Sequence, residues 1–176
     1  MKDNTAEIAK KAMHGDPTAF GELYSQFSSE MYRYALYSLG SRETALDAVQ
    51  ETALEAFRGI VKLRSESAAK AWFFGILYNV CKRFQREKYG ADTAPIELCQ
   101  ELSSESGEDS ISLGIDLLRL ISSLDAQERE IVLLSAVCGY SGKEIAAITG
   151  IAHGTVRSKL SRTLAKLRAE LDKERR

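Results

Sequence analysis

Apolar residues recur along this chain at intervals of three and four, the spacing of one helix face, and nowhere alternate as a half-buried strand requires. Asp16-Pro17 offers an N-cap followed by proline at the first helical position, where its missing N–H costs nothing. Phe20, Leu23, Tyr24, Phe27, Met31, Tyr34 and Ala35 follow on one face, so a helix is predicted to end near Leu39-Gly40. Ser41 caps a second helix, with Ala45, Leu46, Val49, Ala53, Leu54, Ala56 and Phe57 as its apolar positions and Gly59 as its stop. A loop over residues 60–66 mixes Lys62 and Arg64 with apolar residues, and Ser67 caps a third helix running to about Lys88. Beyond Leu113, Leu117, Leu118, Leu120 and Ile121 lead into a helix capped by Asp125, with Glu128 completing a capping box and Gly139 as its stop. Ser141 and Glu144 repeat that box for a short helix stopped by Gly150. Val156, Leu160, Leu164, Leu167 and Leu171 then mark a final amphipathic helix. The fold class is all-α: two small helical domains joined by a flexible linker.

The C-terminal part has the pattern of a helix-turn-helix. Two helices crossing steeply need a small residue where their backbones approach, and Ala146 supplies it. The turn needs a residue tolerant of positive φ, and Gly150 supplies it. Ile145, Ile151 and Val156 pin the second helix onto the first. That helix would lie in the major groove of duplex DNA, with its N-terminal residues facing the bases. His153, Thr155, Arg157, Ser158, Lys159, Ser161, Arg162 and Lys166 lie off its leucine stripe. A solvated amphipathic helix with a basic tail is the alternative on charge alone; the Ala-Gly-Val spacing favours DNA.

The N-terminal part carries two further groupings. Asp47, Gln50, Glu51 and Glu55 fall together on the second helix as an acidic face, which by itself is better read as a solvated surface. The third helix carries Ala71-Trp72-Phe73-Phe74-Gly75-Ile76-Leu77-Tyr78-Asn79 and then Lys82, Arg83, Arg86 and Lys88. Aromatic rings interleaved with cations suit single-stranded nucleic acid, where bases stack and phosphates need countercharge. Trp72, Phe73, Ile76 and Leu77 read as core; Asn79, Lys82, Arg83 and Arg86 read as DNA contacts.

Composition changes this picture in one respect. The chain has 176 residues, with 24 Lys and Arg against 25 Asp and Glu, a net charge of −1 that argues against nucleic acid only if charge were spread evenly. It is not. Residues 151–176 hold eight cations and three acids, and residues 70–88 hold five cations and one acid. Residues 90–113 hold six acids and neither Lys nor Arg, in a Ser-rich setting that reads as a flexible acidic linker. Cys81, Cys99 and Cys138 are odd in number and form no C-x-x-C pair, so free thiols in the cytoplasm are expected. No apolar run approaches the roughly 20 residues that span a bilayer, and no secretory signal is expected from residues 1–5. Neither the cysteines nor His14 and His153 have companions that would make a metal or catalytic site, so no cofactor and no enzymatic activity are expected.

Taken together, the motifs resemble those of the bacterial sigma-70 family of RNA polymerase sigma factors, specifically the compact extracytoplasmic-function (ECF) group. The resemblance rests on Phe20-Gly-Glu-Leu23-Tyr24, on Asp47 to Thr52, on Ala71 to Asn79, and on Glu144 to Ala146, Gly150-Ile151 and Thr155 to Arg162. Gly142 and Lys143 depart from the aromatic-containing pair common before Glu-Ile-Ala, and Ala152 lacks a capping hydroxyl. The resemblance implies sigma domain 2 over residues 1–89, a linker over 90–113 and sigma domain 4 over 114–176. It implies that Asp47, Gln50, Glu51 and Glu55 face the clamp helices of the polymerase β′ subunit. Lys62, Arg64, Asn79, Lys82, Arg83 and Arg86 would then serve the −10 element and a base flipped from the non-template strand. His153, Thr155, Arg157, Ser158, Ser161, Arg162 and Lys166 would read the −35 element while domain 4 sits on the β flap. An anti-sigma factor is the further partner implied, and any membrane tether would belong to that partner. A helix-turn-helix repressor or activator acting on palindromic duplex as a dimer is the main alternative; a helical interaction protein without a DNA role is another.

The linker, acidic like nucleic acid itself, would thread toward the active-site and RNA-exit channel of the polymerase. Replacing its six acids with Gln or Asn is expected to lower core affinity and initiation, read by core-binding titration and run-off transcription. Unchanged values would reject the mimicry.

Overall fold

The computed structural model describes residues 2–89, 121 and 123–174. The linker and the approach to Ile121 lie outside the described residues. Among those described there are helices, short 3₁₀ turns and no strand. Helices α1 (Lys2–Met13), α2 (Pro17–Leu39), α3 (Arg42–Gly59) and α4 (Ala69–Tyr89) form the N-terminal half. Helices α5 (Ala126–Ala136), α6 (Gly142–Thr149) and α7 (His153–Glu174) form the C-terminal half.

The local signals account for most boundaries. Asp16 accepts the amides of Thr18 and Ala19 at 2.9 and 3.1 Å, with Pro17 at the first position of α2. Gly40 ends α2 in the left-handed region at φ 73°, and Ser41 caps α3 through the Thr44 amide. Both capping boxes form: Asp125 with Glu128 opens α5, and Ser141 with Glu144 opens α6. Gly150, at φ 73°, closes α6 and sets the turn.

Four expectations are corrected. α1 was not foreseen; it buries only Ile8, Ala9 and Ala12 against α2, a stripe too short and too alanine-rich to stand out. Ser67 does not cap α4: a 3₁₀ turn at Glu66–Ala68 precedes Ala69, and the Ser67 hydroxyl pairs with that of Ser65 at 2.8 Å. On α3, Leu46, Leu54 and Phe57 are 50, 59 and 52% exposed. The face turned inward carries Ala45, Ala48, Val49, Thr52 and Ala56, small residues that let α3 lie close to its neighbours. On α7, Leu164 and Leu171 are also exposed, because α5 and α6 are too short to cover the distal part of so long a helix.

The two halves share one apolar core. α4 packs on α6 and α2 on α5. Phe74 of α4 stands edge-on to Tyr34 of α2 at 6.2 Å and to Tyr140 of the C-terminal half at 5.1 Å. Ile131, Leu133, Leu134, Ile145 and Val156 belong to the same buried cluster as Leu23, Met31, Phe73 and Leu77. A small second cluster of Leu124, Val132 and Leu167 holds α7 to α5. Phe74→Ala removes the ring that both halves pack on. It is expected to lower the unfolding free energy by about 3–5 kcal/mol, against about 1 kcal/mol for Asp16→Ala, measured by urea titration.

Candidate nucleic-acid interface

A groove of about 610 Å³ runs along α4. Its floor is Ala71, Trp72, Gly75, Ile76 and Asn79, its rim is Lys62, Leu63, Arg64 and Ser65 of the preceding loop, and Ala147 and Ile148 of α6 form one wall. The 3₁₀ turns on either side of Leu63 bring the loop back over α4, with Leu63 buried and Lys62 and Arg64 exposed. Trp72 is held by α3: a Cβ on Gly59 would stand 3.1 Å from its Cζ2, so a glycine is needed where the indole crosses the helix end. Phe73 meets the indole edge-on at 5.5 Å. Phe73 and Leu77 are fully buried core, as expected, whereas Trp72 and Ile76 are only partly buried and line the groove. The result is an aromatic surface flanked by an amide and two cations, the combination that accepts unstacked bases and their phosphates.

Of the six residues expected beside the single strand, Lys62, Arg64 and Asn79 meet at this groove. Lys82 and Arg86 lie further along α4, exposed; Lys82 Nζ sits 5.4 Å from the Tyr78 ring, and Arg86 Nε donates to the Lys82 carbonyl at 3.3 Å. Arg83 is drawn to the other side. Its guanidinium stands 2.5 Å from Glu51 and 3.6 Å from Glu55, so it joins the acidic helix face.

That face is mixed. Asp47, Gln50 and Glu55 are exposed and Glu51 partly so, and beside them Leu46, Leu54, Phe57 and Val61 form an apolar stripe open to solvent. Phe57 rests edge-on against Phe20 at 5.1 Å. Leu46, Leu54 and Phe57 are among the helically spaced apolar positions of α3, yet all three are exposed. The available signal was that seven apolar positions on α3 cover more of its circumference than one buried face needs. Contiguous exposed apolar side chains rimmed by polar ones mark an interaction surface.

On the C-terminal half, Ile145 and Val156 are fully buried and Ile151 partly so, pinning α7 across α6. α7 starts at His153, and the Ala152 carbonyl accepts the amides of Thr155 and Val156 without help from a side chain. A Cβ at Gly142 would stand 3.5 Å from the His153 ring, an ordinary contact, so the imidazole lies over the start of α6. His153, Thr155, Arg157, Ser158, Ser161, Arg162 and Lys166 are all exposed, and Gly154, Arg157, Ser158, Ser161 and Arg162 line a shallow concavity. Arg162 Nε donates to the Ser158 carbonyl at 3.3 Å. Lys159 departs from the expected face: it reaches back to Asp125 at 3.5 Å and ties α7 to the cap of α5. Among the described residues no cluster of His, Cys, Asp and Glu is arranged for a metal, and no helix is long and apolar enough to cross a membrane.

The chain is similar to proteins of known role. Residues 23–89 match the family model described as sigma-70 region 2, and residues 115–167 that described as sigma-70, region 4. It is 30% identical to the RNA polymerase sigma factor CnrH of Cupriavidus metallidurans, over 94% of this chain and 93% of that protein. It is 29% identical to the ECF RNA polymerase sigma factor SigM of Mycobacterium tuberculosis, over 92% of this chain and 82% of that protein. Among solved structures, CnrH in complex with the cytosolic domain of CnrY has the same fold, with a TM-score of 0.74 at 24% identity over 96% of this chain and 97% of that one. The sigma factor RpoE in complex with the anti-sigma factor NepR from Bartonella quintana gives a TM-score of 0.69 at 24% identity, over 87% and 96%.

Trp72 is the only tryptophan in the chain, so its fluorescence reports on the groove directly. Single-stranded DNA is expected to quench it and duplex of the same sequence to leave it unchanged. Stacking is worth about 1–3 kcal/mol per base. Trp72→Ala should therefore weaken single-strand binding about fivefold to a hundredfold, measured by anisotropy of a labelled oligonucleotide.

Proposed function

The chain belongs to the sigma-70 family, in its ECF group, and on that premise we propose that it binds core RNA polymerase, directs it to promoters through −35 and −10 elements and promotes DNA melting for transcription initiation. The observation that carries this reading is the order of three surfaces along one chain. An apolar stripe flanked by acids on α3 comes first, then an aromatic and cationic groove on α4, then an exposed basic helix in a helix-turn-helix.

Each surface has a chemistry that fits one task. The α3 stripe docks on the β′ clamp helices: Leu46, Leu54 and Phe57 supply apolar contact, and Asp47, Gln50, Glu51 and Glu55 fix partner and register through charge. Lys62, Arg64 and Asn79 hold the non-template strand around Trp72, while Lys82 and Arg86 meet phosphates further along α4. Arg83 joins them when polymerase engages Glu51 and Glu55. Flipping a base costs a few kcal/mol of stacking, offset by the indole face and the phosphate contacts. α7 enters the major groove at the −35 element, where Arg157 and Arg162 bond to guanine or phosphate, Lys166 meets phosphate, and His153, Thr155, Ser158 and Ser161 supply shorter polar contacts.

Residues 1–89 act as sigma domain 2, residues 90–113 as the linker in the polymerase channel, and residues 114–176 as sigma domain 4 against the β flap. The chain supplies recognition and melting, and nucleotide transfer stays with the polymerase. Its place of action is the cytoplasm, and its control is by an anti-sigma factor, as the complexes of CnrH with CnrY and of RpoE with NepR suggest.

Run-off transcription with purified core polymerase on genomic promoters tests this reading: new transcripts should depend on the chain, and their absence would reject it. Arg157→Ala or Arg162→Ala should weaken dependence on the −35 element and leave core binding intact. Leu54→Arg should lower core affinity at least tenfold with an unchanged urea midpoint, because Leu54 is 59% exposed and contributes little to the fold.

A further inference from the structure

We propose that Gly59 is a positioning residue for the strand-binding groove: its missing side chain seats the Trp72 indole at the depth and angle on which a single-stranded base stacks. This rests on the reading of that groove as the −10 site. Gly59 does not line the groove itself; it acts through the indole.

Nothing in the backbone requires glycine at this position. Gly40 and Gly150 end their helices in the left-handed region, at φ 73°, where a side chain would be strained. Gly59 has φ −102° and ψ −13°. The chain passes through it from α3 into the 3₁₀ turn at Ile60–Lys62 without leaving the right-handed region. Alanine adopts that conformation, and alanine for glycine at a compatible site stabilises a fold by narrowing the unfolded ensemble. On backbone grounds alone, the position favours alanine.

The surroundings supply the reason for glycine. A Cβ built on Gly59 meets two atoms within 4 Å, Cζ2 and Cη2 of Trp72, at 3.1 and 3.5 Å. The first is closer than non-bonded carbons pack. Gly21 of α2 is the contrast, since a Cβ there meets nothing within 4 Å. The six-membered ring of the indole therefore lies against the bare end of α3. Its own segment gives it little else to lean on. Ala68, Ala69 and Gly75 stand three or four positions away, and Ile76 is the only larger neighbour at that spacing. Phe73 fixes the indole edge-on at 5.5 Å, and Gly59 sets how deep the ring sits.

Depth matters because the ring is part of the groove floor. Trp72 is partly buried, with its neighbours Lys62, Arg64 and Asn79 exposed along the same groove. A methyl at position 59 cannot be absorbed by α3, whose inward face is already packed through the fully buried Ala56. The soft coordinate is the torsion of the Trp72 side chain, so the ring tilts toward the groove. The tilt exposes more of the indole and removes the flat approach on which base stacking depends. Stability forgone at a position that shapes a site is a common exchange in proteins.

The test compares the full chain with Gly59→Ala, and uses Gly21→Ala as the control for replacing a helical glycine. The measurements are Trp72 emission, the urea midpoint, and anisotropy of a labelled single strand and a labelled duplex, both of random sequence. Gly59→Ala should move the emission to longer wavelength and keep the urea midpoint at or above that of the parent. It should weaken single-strand binding by about threefold or more, a part of the full stacking contribution, and leave duplex binding unchanged. Gly21→Ala should alter neither emission nor binding. Phenylalanine lacks the two atoms that a methyl at position 59 would meet, so in a Trp72→Phe background Gly59→Ala should have no effect on single-strand binding. Unchanged single-strand binding in Gly59→Ala would overturn the proposal. So would an equal loss in the Trp72→Phe background, which would place the effect in the 60–66 loop. A lowered urea midpoint would also overturn it, by making Gly59 a packing residue of the fold. A parent chain that binds no single strand would instead reject the reading of the groove, and the emission shift would still decide whether Gly59 seats the indole.

Discussion

The burial of α4 on two sides at once sets the position of nearly everything else. One arc of the helix, with Phe73 and Leu77, packs into the core of the N-terminal half, where Phe73 meets Phe20 and Phe27. Another, with Phe74, receives Tyr34 from α2 and Tyr140 from the C-terminal half. The remaining arc carries Trp72, Ile76 and Asn79 into the groove. With 3.6 residues per turn these arcs cannot be exchanged. A shift of one residue would turn Phe73 and Phe74 by about 100° and put Gly75 in place of Phe74, or Trp72 in place of Phe73. The groove is thus as well defined as the core, since the same helix forms both. Sites built on such elements hold their geometry better than sites on loops.

Charge is arranged on the same frame. A net value of −1 describes none of the surfaces of this chain. Cations concentrate on the exposed face of α7 and around the α4 groove, and acids on α3 and in the linker. Screening confines each surface to its own neighbourhood, since the Debye length is about 8 Å at physiological ionic strength. Arg83 shows how close the opposing surfaces come. It belongs to the helix that forms the groove, yet in the free chain its guanidinium lies against Glu51 and Glu55. Such a half-exposed pair contributes little to stability. Its value is that whatever engages the two glutamates changes the charge next to the groove.

Much of this was legible in the residues. The helix starts at Pro17, Arg42, Ala126 and Gly142 follow from caps whose mechanism is local. So does the turn at Gly150, which needs a positive φ. What was missed depends on packing partners, about which local pattern is silent. Leu54 and Phe57 look like core because they are apolar and helically spaced; they are exposed because Ala45, Ala48 and Ala56 bring α3 in by its small face. Lys159 looks like a DNA contact and is held by Asp125, thirty-four positions away. Arg83 looked free for the same reason. α1 gives almost no signal, since two of its three buried residues are alanines. His153, Thr155, Arg157, Ser158, Ser161, Arg162 and Lys166 of α7 are legible as exposed because an amphipathic helix shows its outer face directly.

Glu130 is the strongest case of information that only the fold supplies. In the sequence it sits within Gln127-Glu128-Arg129-Glu130, a polar stretch with every mark of a solvated helix start. Yet Glu128 closes the capping box, Arg129 is buried onto two carbonyls, and Glu130 enters the seam between the halves. Three adjacent charged residues thus have three separate structural tasks within one helical turn. The cradle that receives Glu130 is drawn from Tyr34, Ser38 and Gln85, residues about 45 to 96 positions distant. Of these, Tyr34 lies on a stripe that reads as purely apolar. A hydroxyl at the end of an otherwise apolar side chain lets one residue serve the core with its ring and the seam with its oxygen. That dual use sets a polar cluster inside a single shared core and joins the two halves through it.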